Sequence, residues 1–302
     1  MRVALVIDTV DWHARQFIAA LSSRGVEIVP VQLPSCGIAT SNPSGLNIEG
    51  FGQALPDAVV VRTMSGGTFE SVTLRLGVLH ALRELGVMVW NDARTIERCV
   101  DKSMTSFLLS RAGIPTPATW ATESYEQACT IAERETAEGA LVLKPLFGSQ
   151  GRGLKLIQRM EDLPAIEQTP GRVYYLQRFI GVERDDGYHD FRILVVQGHI
   201  IAAMRRHSNH WITNIKRGGR PVPVVINEDM KALALQAALA VGANFVGVDI
   251  VYGTDGRPAV LEVNSMPAWS GLQKVTPVNI ASALADALLT ALAGRGLRGA
   301  MA

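Results

Sequence analysis

Cysteine is scarce in this chain, three among 302 residues, at positions 36, 99 and 129. An odd number at wide, unpatterned spacing excludes a disulfide framework and a structural zinc site, leaving thiols suited to a reducing compartment. Long apolar runs are missing as well. The opening stretch meets Asp8 too soon to serve as a secretory leader. Nowhere does the chain reach the roughly 18 uninterrupted apolar residues of a spanning helix, and the longest candidate, 280–293, carries Asp286. Charge of one sign is also lacking: 29 Lys and Arg against 28 Asp and Glu give a formal +1. That balance excludes the global field of a general nucleic-acid binder, although it permits a local basic cleft. The expectation is a cytoplasmic protein with neither a membrane nor a nucleic acid among its partners.

What is present reads as globular, since hydrophobic residues make up 48% and charged ones 19%. At about 150 residues per domain the length suggests two compact units. The first 92 residues alternate strand and helix signals: strands at 3–7, 26–31, 58–62 and 87–90, helices at 11–24 and 69–85. This predicts a small, open, mostly parallel sheet. The segment 35–52, rich in Ser, Gly, Asn and Pro, reads as a long loop with a small edge element. Asp92 and Asp101 are placed to cap two further helices. From Ala140 onward, strand patterns dominate, at 140–144, 153–156, 174–179, 191–196, 199–204, 246–252 and 258–263, with one helix at 229–241. Gln197-Gly198 marks a hairpin. The fold class is therefore α/β followed by antiparallel-rich α+β.

Two constellations carry chemistry. In Leu141–Gly153 an apolar strand delivers Lys144 into a loop with Gly148, Gly151 and Gly153. Glycines let backbone N–H groups approach anionic oxygens, and the lysine adds a point charge. The loop has neither the Walker A nor the dinucleotide-fold pattern, so these residues alone leave two readings, a phosphate cradle or a hairpin beside a snorkelling lysine. The second constellation is more specific. Asp249 interrupts an apolar strand, and Glu262 and Asn264 lie two apart on the next, so a hairpin turns all three to one face. Two carboxylates and an amide oxygen suit a hard cation such as Mg²⁺, against the alternative of a merely solvated edge. Like charges on one face repel without a counterion, which favours the metal. His207 and His210 lack a third ligand at sensible spacing, so no zinc is expected there.

The order of these pieces matters more than any one of them. Asp101-Lys102, Gly113-Ile-Pro-Thr-Pro, Lys144-Pro-Leu-x-Gly-Ser-x-Gly-x-Gly, Gln177-x-Phe-Ile, Asp190-x-Arg192, Arg205, Asn214-x4-Gly-Gly, Gly247-Val-Asp249 and Glu262-Val-Asn264 follow one another. This succession resembles the ATP-grasp ligases, and most closely their RimK-like family, over nearly the whole chain. The resemblance implies a small α/β domain at 1–92, a first α+β lobe with the glycine loop at 93–181, a second with the metal site at 182–296, and a flexible tail at 297–302. The two lobes would clasp ATP. Lys102, Lys144 and the loop residues Gly148, Ser149, Gly151 and Gly153 match phosphate contacts. Gln177, Arg178 and Phe179 match the adenine hinge, and Asp190 the ribose contact. Arg205 and Asn214, with Lys144, match the groups acting on the transferred phosphoryl, and Asp249, Glu262 and Asn264 match the ligands of Mg²⁺ or Mn²⁺. Arg178 replaces the acid common at the hinge, and Met266-Pro267-Ala268-Trp269 departs from the family's Ser-Pro-Gly.

The implied chemistry is ATP-dependent joining of L-glutamate to a carboxylate through an acyl phosphate, with ADP and phosphate released. The segment Ala203–Ile215 looks like that of members that glutamylate cofactors such as tetrahydromethanopterin. Hence the expected acceptor is a small acidic molecule, of pterin or furan type, and the enzyme a homo-oligomer. Glutamylation of a protein C-terminus or an amino-acid intermediate is the alternative, as is a non-catalytic ATP-binding module. Five cations (Arg205, Arg206, Lys216, Arg217, Arg220) and two indoles, Trp211 and Trp269, are the expected acceptor contacts, the alternative being that both indoles pack into the lobe interface.

Overall fold

The computed structural model describes residues 1–148 and 150–299, the side chains of 295–299 excepted. Ser149, and residues 300–302 of the tail expected at 297–302, therefore lie outside the described residues. The chain divides into two compact units: Met1–Ile96, Ala243–Val246 and Ser265–Ala302 form the first, and Glu97–Gly242 with Gly247–Asn264 the second.

In the first unit, β1 (Arg2–Val6), β2 (Glu27–Val31), β5 (Ala58–Val61) and β6 (Met88–Trp90) form a parallel sheet in the order β2-β1-β5-β6. Its inner strands β1 and β5 are short runs of Val, Ala and Leu, and β5 is buried on both faces, as a parallel sheet covered by helices requires. Helix α1 (Trp12–Ser22) begins where Asp11 accepts from the N–H of Ala14 at 2.8 Å, and α2 (Phe69–Glu84) begins at Thr68. The expected edge element is a two-stranded ribbon, β3 (Gly37–Ile38) with β4 (Leu46–Asn47). Asn91 reaches far along the chain. Its buried amide donates to the carbonyls of Phe245 and Ser265 at 2.5 and 2.8 Å, and its oxygen accepts from the N–H groups of Asn244 and Phe245.

Helix α3 (Ala93–Val100) leads into α4 (Lys102–Arg111), whose first N–H groups are capped by Asp101. The second unit holds two antiparallel sheets. One has the order β7-β10-β8-β9, from β7 (Thr119–Thr122), β8 (Leu141–Lys144), β9 (Lys155–Ile157) and β10 (Tyr174–Arg178). On one face Leu141, Leu143, Tyr174 and Leu176 pack against Ala128 and Ala132 of α5 (Tyr125–Thr136). The strand pattern at 140–144 anticipates β8, but β7 and α5 escape it. Ser124, capping the N–H of Gln127, is the signal that marks where α5 starts.

The other sheet runs β13-β12-β11-β14-β15, from β11 (Tyr188–Val196), β12 (His199–Ser208), β13 (Arg220–Pro223), β14 (Phe245–Tyr252) and β15 (Pro258–Asn264). The β11–β12 turn puts Gln197 and Gly198 at φ 49° and 74°, the backbone that a two-residue hairpin needs. β13 carries two prolines and sits at the sheet edge, where a missing N–H costs no ladder bond. Helix α6 (Glu228–Val241) packs on β11, β12, β15 and α4. The chain then returns to the first unit with α7 (Ser270–Gln273) and α8 (Ile280–Gly299), which packs on α1 and pairs its Asp286 with Arg24 just beyond that helix. Among the described residues no helix is long and apolar enough to cross a membrane.

Candidate functional site

The residues expected to hold nucleotide and metal, the undescribed Ser149 aside, lie in the second unit, so their arrangement is fixed by its two sheets. Lys144 ends β8 opposite Tyr175 of β10. Two residues on, Gln177 faces the same way. There Lys144 donates through Nζ to Gln177 Oε1 at 2.5 Å, while Gln177 Nε2 donates to Thr119 and Tyr175, both at 3.4 Å. Ser106 of α4 closes the network against Tyr175 at 2.8 Å. Burial drives the Lys144 ammonium down to about 8, with Glu262 pulling the other way and Lys102 adding to the fall.

Lys102, at the first position of α4, reaches over the glycine loop and donates to the carbonyls of Leu146 and Gly148 at 3.3 and 2.8 Å. Burial lowers its pKa, and Glu262 and Asp101 oppose the change. Both lysines thus feel the same carboxylate. The loop closes on the segment after β12. Gly151 has φ +69°, and a Cβ there would sit 2.6 Å from Asn214 Oδ1. Arg217 Nη2 donates to Gly151 O at 3.2 Å. Glycine is required at 151 by sterics, and Asn214 is brought to the loop as expected. Gly148 and Gly153 are exposed beside it.

Asp249 stands directly opposite Glu262 across β14–β15, and Gly247 opposite Asn264, so the hairpin turns the three oxygen-bearing groups to one face. With its amide oriented to satisfy both neighbours, Asn264 donates to Glu262 Oε1 at 2.9 Å and accepts from Arg192 Nη2 at 3.2 Å. Asp249 is held more firmly. Arg192 donates to both its oxygens at 2.7 and 2.6 Å, and Arg206 to Oδ2 at 2.9 Å. Burial pushes the Asp249 carboxyl up, but the two guanidinium groups outweigh it and hold it below the ordinary aspartate value. Asp190 and Asp249 likewise raise the Arg206 pKa against burial. As a donor set, two carboxylates and an amide oxygen fit a hard divalent cation. Glu262 has the oxygens least engaged by protein cations.

Three residues stand elsewhere than expected. Arg205 pairs in register with Phe191, whereas Arg206 pairs with Asp190. Neighbouring strand residues face opposite ways, so Arg206, not Arg205, joins the carboxylates. Asp190 is buried, with both oxygens engaged by Arg206 and one also by Thr213 at 2.7 Å. A buried carboxylate needs such partners, and here it orients Arg206. Arg178 turns its guanidinium to Glu135, Glu138 and the Gly139 carbonyl. The N–H groups of Arg178 and Phe179 bond the carbonyls of Ala118 and Ala140, so neither is open to a ligand.

Three of the five expected cations are also committed. Arg217 holds Gly151, Arg220 donates to His207 Nδ1 at 3.1 Å, and Arg206 is buried. Trp269 is 0% exposed and lies in the first unit, so it packs there and offers no stacking face. Trp211 is half-buried and meets the Phe179 ring edge-on at 5.8 Å. The third partner that His207 lacked in the sequence is His189 with Asp186, their ligand atoms within 4.8 Å. The His207 nitrogens are already engaged by Arg220 and the Asp186 carbonyl.

Comparison with known proteins agrees with this geometry. Residues 99–288 match the family described as RimK-like ATP-grasp domain. The tetrahydromethanopterin:alpha-L-glutamate ligase of Methanosarcina acetivorans is 30% identical, over 94% of this chain and 97% of its own. A probable alpha-L-glutamate ligase of Halorhodospira halophila is 32% identical over 91% and 90%. Among solved structures, the ATP-grasp ligase PsnB with minimal precursor, Mg and ADP superposes with a TM-score of 0.72. It is 24% identical over 96% of this chain and 98% of that one. A RimK domain ATP-grasp protein from Sphaerobacter thermophilus gives 0.69 at 24% identity, over 96% and 100%. These two likenesses show the ATP-grasp fold.

Proposed function

The chain belongs to the RimK-like ATP-grasp family, and from that premise we propose that it is an ATP-dependent ligase joining L-glutamate to a small acidic acceptor. The observation that carries the proposal is the convergence, in one unit, of two buried lysines on the field of Glu262, itself hydrogen-bonded to Asn264 and opposite Asp249. Buried ammonium groups with no carboxylate bonded to them suit a polyphosphate. The named activity of relatives such as the Methanosarcina acetivorans enzyme supports a pterin-type cofactor as acceptor.

In the proposed reaction an acceptor carboxylate oxygen attacks the γ-phosphorus, the bond to the β-phosphate bridging oxygen breaks, and ADP leaves. The glutamate amine then attacks the acyl carbon, phosphate departs, and the amine loses its proton. No protein nucleophile takes part; alignment and charge neutralisation do the work. Lys144 and Lys102 hold phosphate oxygens, and the 148–153 loop lies over them with Asn214 behind it. Arg192 and Arg206, paired with Asp249 and Asp190, keep the carboxylate face charge-balanced and orient Asp249 and Asn264. Glu262, Asn264 and Asp249 are the residues that would hold Mg²⁺, or Mn²⁺ in its place. When bound, that ion would offset the charge of the phosphates.

The test is ADP release by the purified protein with ATP, Mg²⁺, L-glutamate and tetrahydromethanopterin or another ring-bearing acid. Release that requires both acceptor and glutamate, with an amide product, is expected. ADP formed equally well without glutamate would sink the ligase reading. Amide formed only on a peptide C-terminus would move the acceptor to the protein class.

A further inference from the structure

The parallel sheet of the first unit has a crossing point. From β1 the chain turns to β2 on one side and later to β5 on the other. Connections therefore leave the carboxyl ends of β1 and β5 in opposite directions, and such crevices in open parallel sheets are where ligands bind. Arg62 is the first residue after β5, and Asp11, soon after β1, caps α1.

Arg62 is only 6% exposed, yet it lacks the partners a buried cation needs. Its Nη1 donates to the Pro267 carbonyl at 3.0 Å, and its Nε is buried without a partner among the described residues. Its guanidinium carbon lies 4.3 Å from the Trp269 ring centroid and 5.6 Å from that of Phe245. The Trp269 indole N–H is itself buried and unpartnered. Asp11, the charge that supports Arg62 from beyond ion-pair distance, is engaged by Ala14 and His13. Burial drives the Arg62 pKa down to about 10, which still leaves it charged at neutral pH. Two side chains that can only donate are thus left unsatisfied around one stacked guanidinium. Their complement is an anionic oxygen pair, since the guanidinium fork matches a carboxylate.

We propose that Arg62 and Trp269 form, at this crossing point, a binding site for a carboxylate of the acidic substrates. The site rests on the ligase reading for its ligand, and two sources share that chemistry: L-glutamate and the acidic acceptor.

The test begins with the unmodified protein carrying ¹⁵N-labelled arginine, titrated separately with L-glutamate and with tetrahydromethanopterin. The Arg62 Nε–H resonance is assigned by its loss in Arg62→Lys. A saturable shift with one compound, and none with ATP, is expected and identifies the source. Kinetically, Arg62→Gln should raise KM for that substrate at least about tenfold, the effect of one lost charge-assisted bond. KM for ATP should stay the same, and Arg62→Lys should recover part of the loss. An unmoved resonance with both compounds overturns the site. So does a fall in melting temperature and ATP affinity together with no selective KM effect, which would make Arg62 a strut under Trp269. If neither variant folds, the titration alone decides, with the resonance assigned through Trp269→Phe. Absence of ADP release by the unmodified protein with every acceptor would sink the ligase reading, while the titration would still judge the carboxylate site.

Discussion

Lys144 and Gln177 are joined across neighbouring strands by a 2.5 Å hydrogen bond from the ammonium to the amide oxygen. A neutral amide satisfies the lysine's geometry without neutralising its charge, so burial keeps its pKa near 8. The lysine is held straight and left electrostatically unsatisfied, the state in which an incoming phosphate gains most from it.

This relationship predicts proton uptake on ATP binding. Below pH 8 the free protein already carries the Lys144 charge; above it, the phosphates must draw a proton back. Calorimetry in two buffers of different ionisation enthalpy should find uptake rising toward one proton between pH 8 and 9.5, with affinity falling as pH rises. Uptake unchanged in Lys144→Met would exclude Lys144 as its source.

The same shift has a stability sign. The folded value lies below the ordinary 10.5 of lysine, so between these values the unfolded chain binds more protons and stability rises with pH. Below pH 8 the buried charge costs its full amount. Lys144→Met should therefore stabilise the ligand-free protein at pH 7 by about 1–3 kcal/mol while weakening ATP binding. Denaturant unfolding at pH 7 checks the first part; a lower midpoint contradicts it.

Two carboxylates that look equivalent in the sequence separate in the structure. Asp249 neutralises Arg192 and Arg206, so Asp249→Asn should cost about 3–5 kcal/mol by leaving buried guanidinium groups underpaired. Its pKa is lowered in the fold, so its contribution is present above the ordinary 3.8 and disappears as pH falls through the folded value. Glu262→Gln, half-buried and free of arginine, should change stability by less than about 1 kcal/mol and still lose Mg²⁺-dependent turnover. Equal unfolding midpoints for the two variants would refute this division.

Much of this was legible in the sequence because it is periodic. Asp249, Glu262 and Asn264 share a face by strand alternation, and the hairpin that pairs them was marked by its turn. The same alternation, combined with the β11–β12 register, selects Asp190, Arg192 and Arg206 together. Without the register, Arg205 and Arg206 cannot be told apart. Arg62 was not legible at all, because its isolation depends on Pro267 and Trp269, some 205 residues along. Helix α5 was missed for a smaller reason: it is short, and strand signals around it dominate the window.

Glycine 219 gives a sharper steric prediction than the loop glycines. A Cβ there would stand 2.0 Å from the Thr213 carbonyl oxygen, a backbone atom that cannot turn aside. Its N–H bonds the Asn214 carbonyl at 3.1 Å, closing the turn that presents Asn214. Gly219→Ala should lower stability by more than about 2 kcal/mol and weaken ATP binding with it. Gly37→Ala, where nothing lies within 4 Å, is the matched control and should be silent. Similar melting temperatures for both would mean the turn accommodates a methyl group.

The two tryptophans near the expected acceptor region should behave oppositely. Trp269 is fully enclosed, 4.9 Å from the His13 ring and 4.3 Å under Arg62. Trp269→Ala opens a cavity, and large-to-small changes of that size cost about 3–5 kcal/mol. Its first effect should be on melting temperature, and Trp269→Phe should restore most of it. Trp211 is half-buried, packed edge-on against Phe179 beside the hinge and tilted against His210 at 5.7 Å. An indole placed so can stack a planar ring, an interaction worth about 0.5–1.5 kcal/mol. Trp211→Ala should thus raise KM for a ring-bearing substrate about two- to tenfold with the melting temperature nearly held. Comparing KM for ATP with KM for the acceptor tells which ring it meets. A Trp211→Ala protein unchanged in both would leave the indole as packing for Phe179, and the acceptor ring would have to be sought elsewhere.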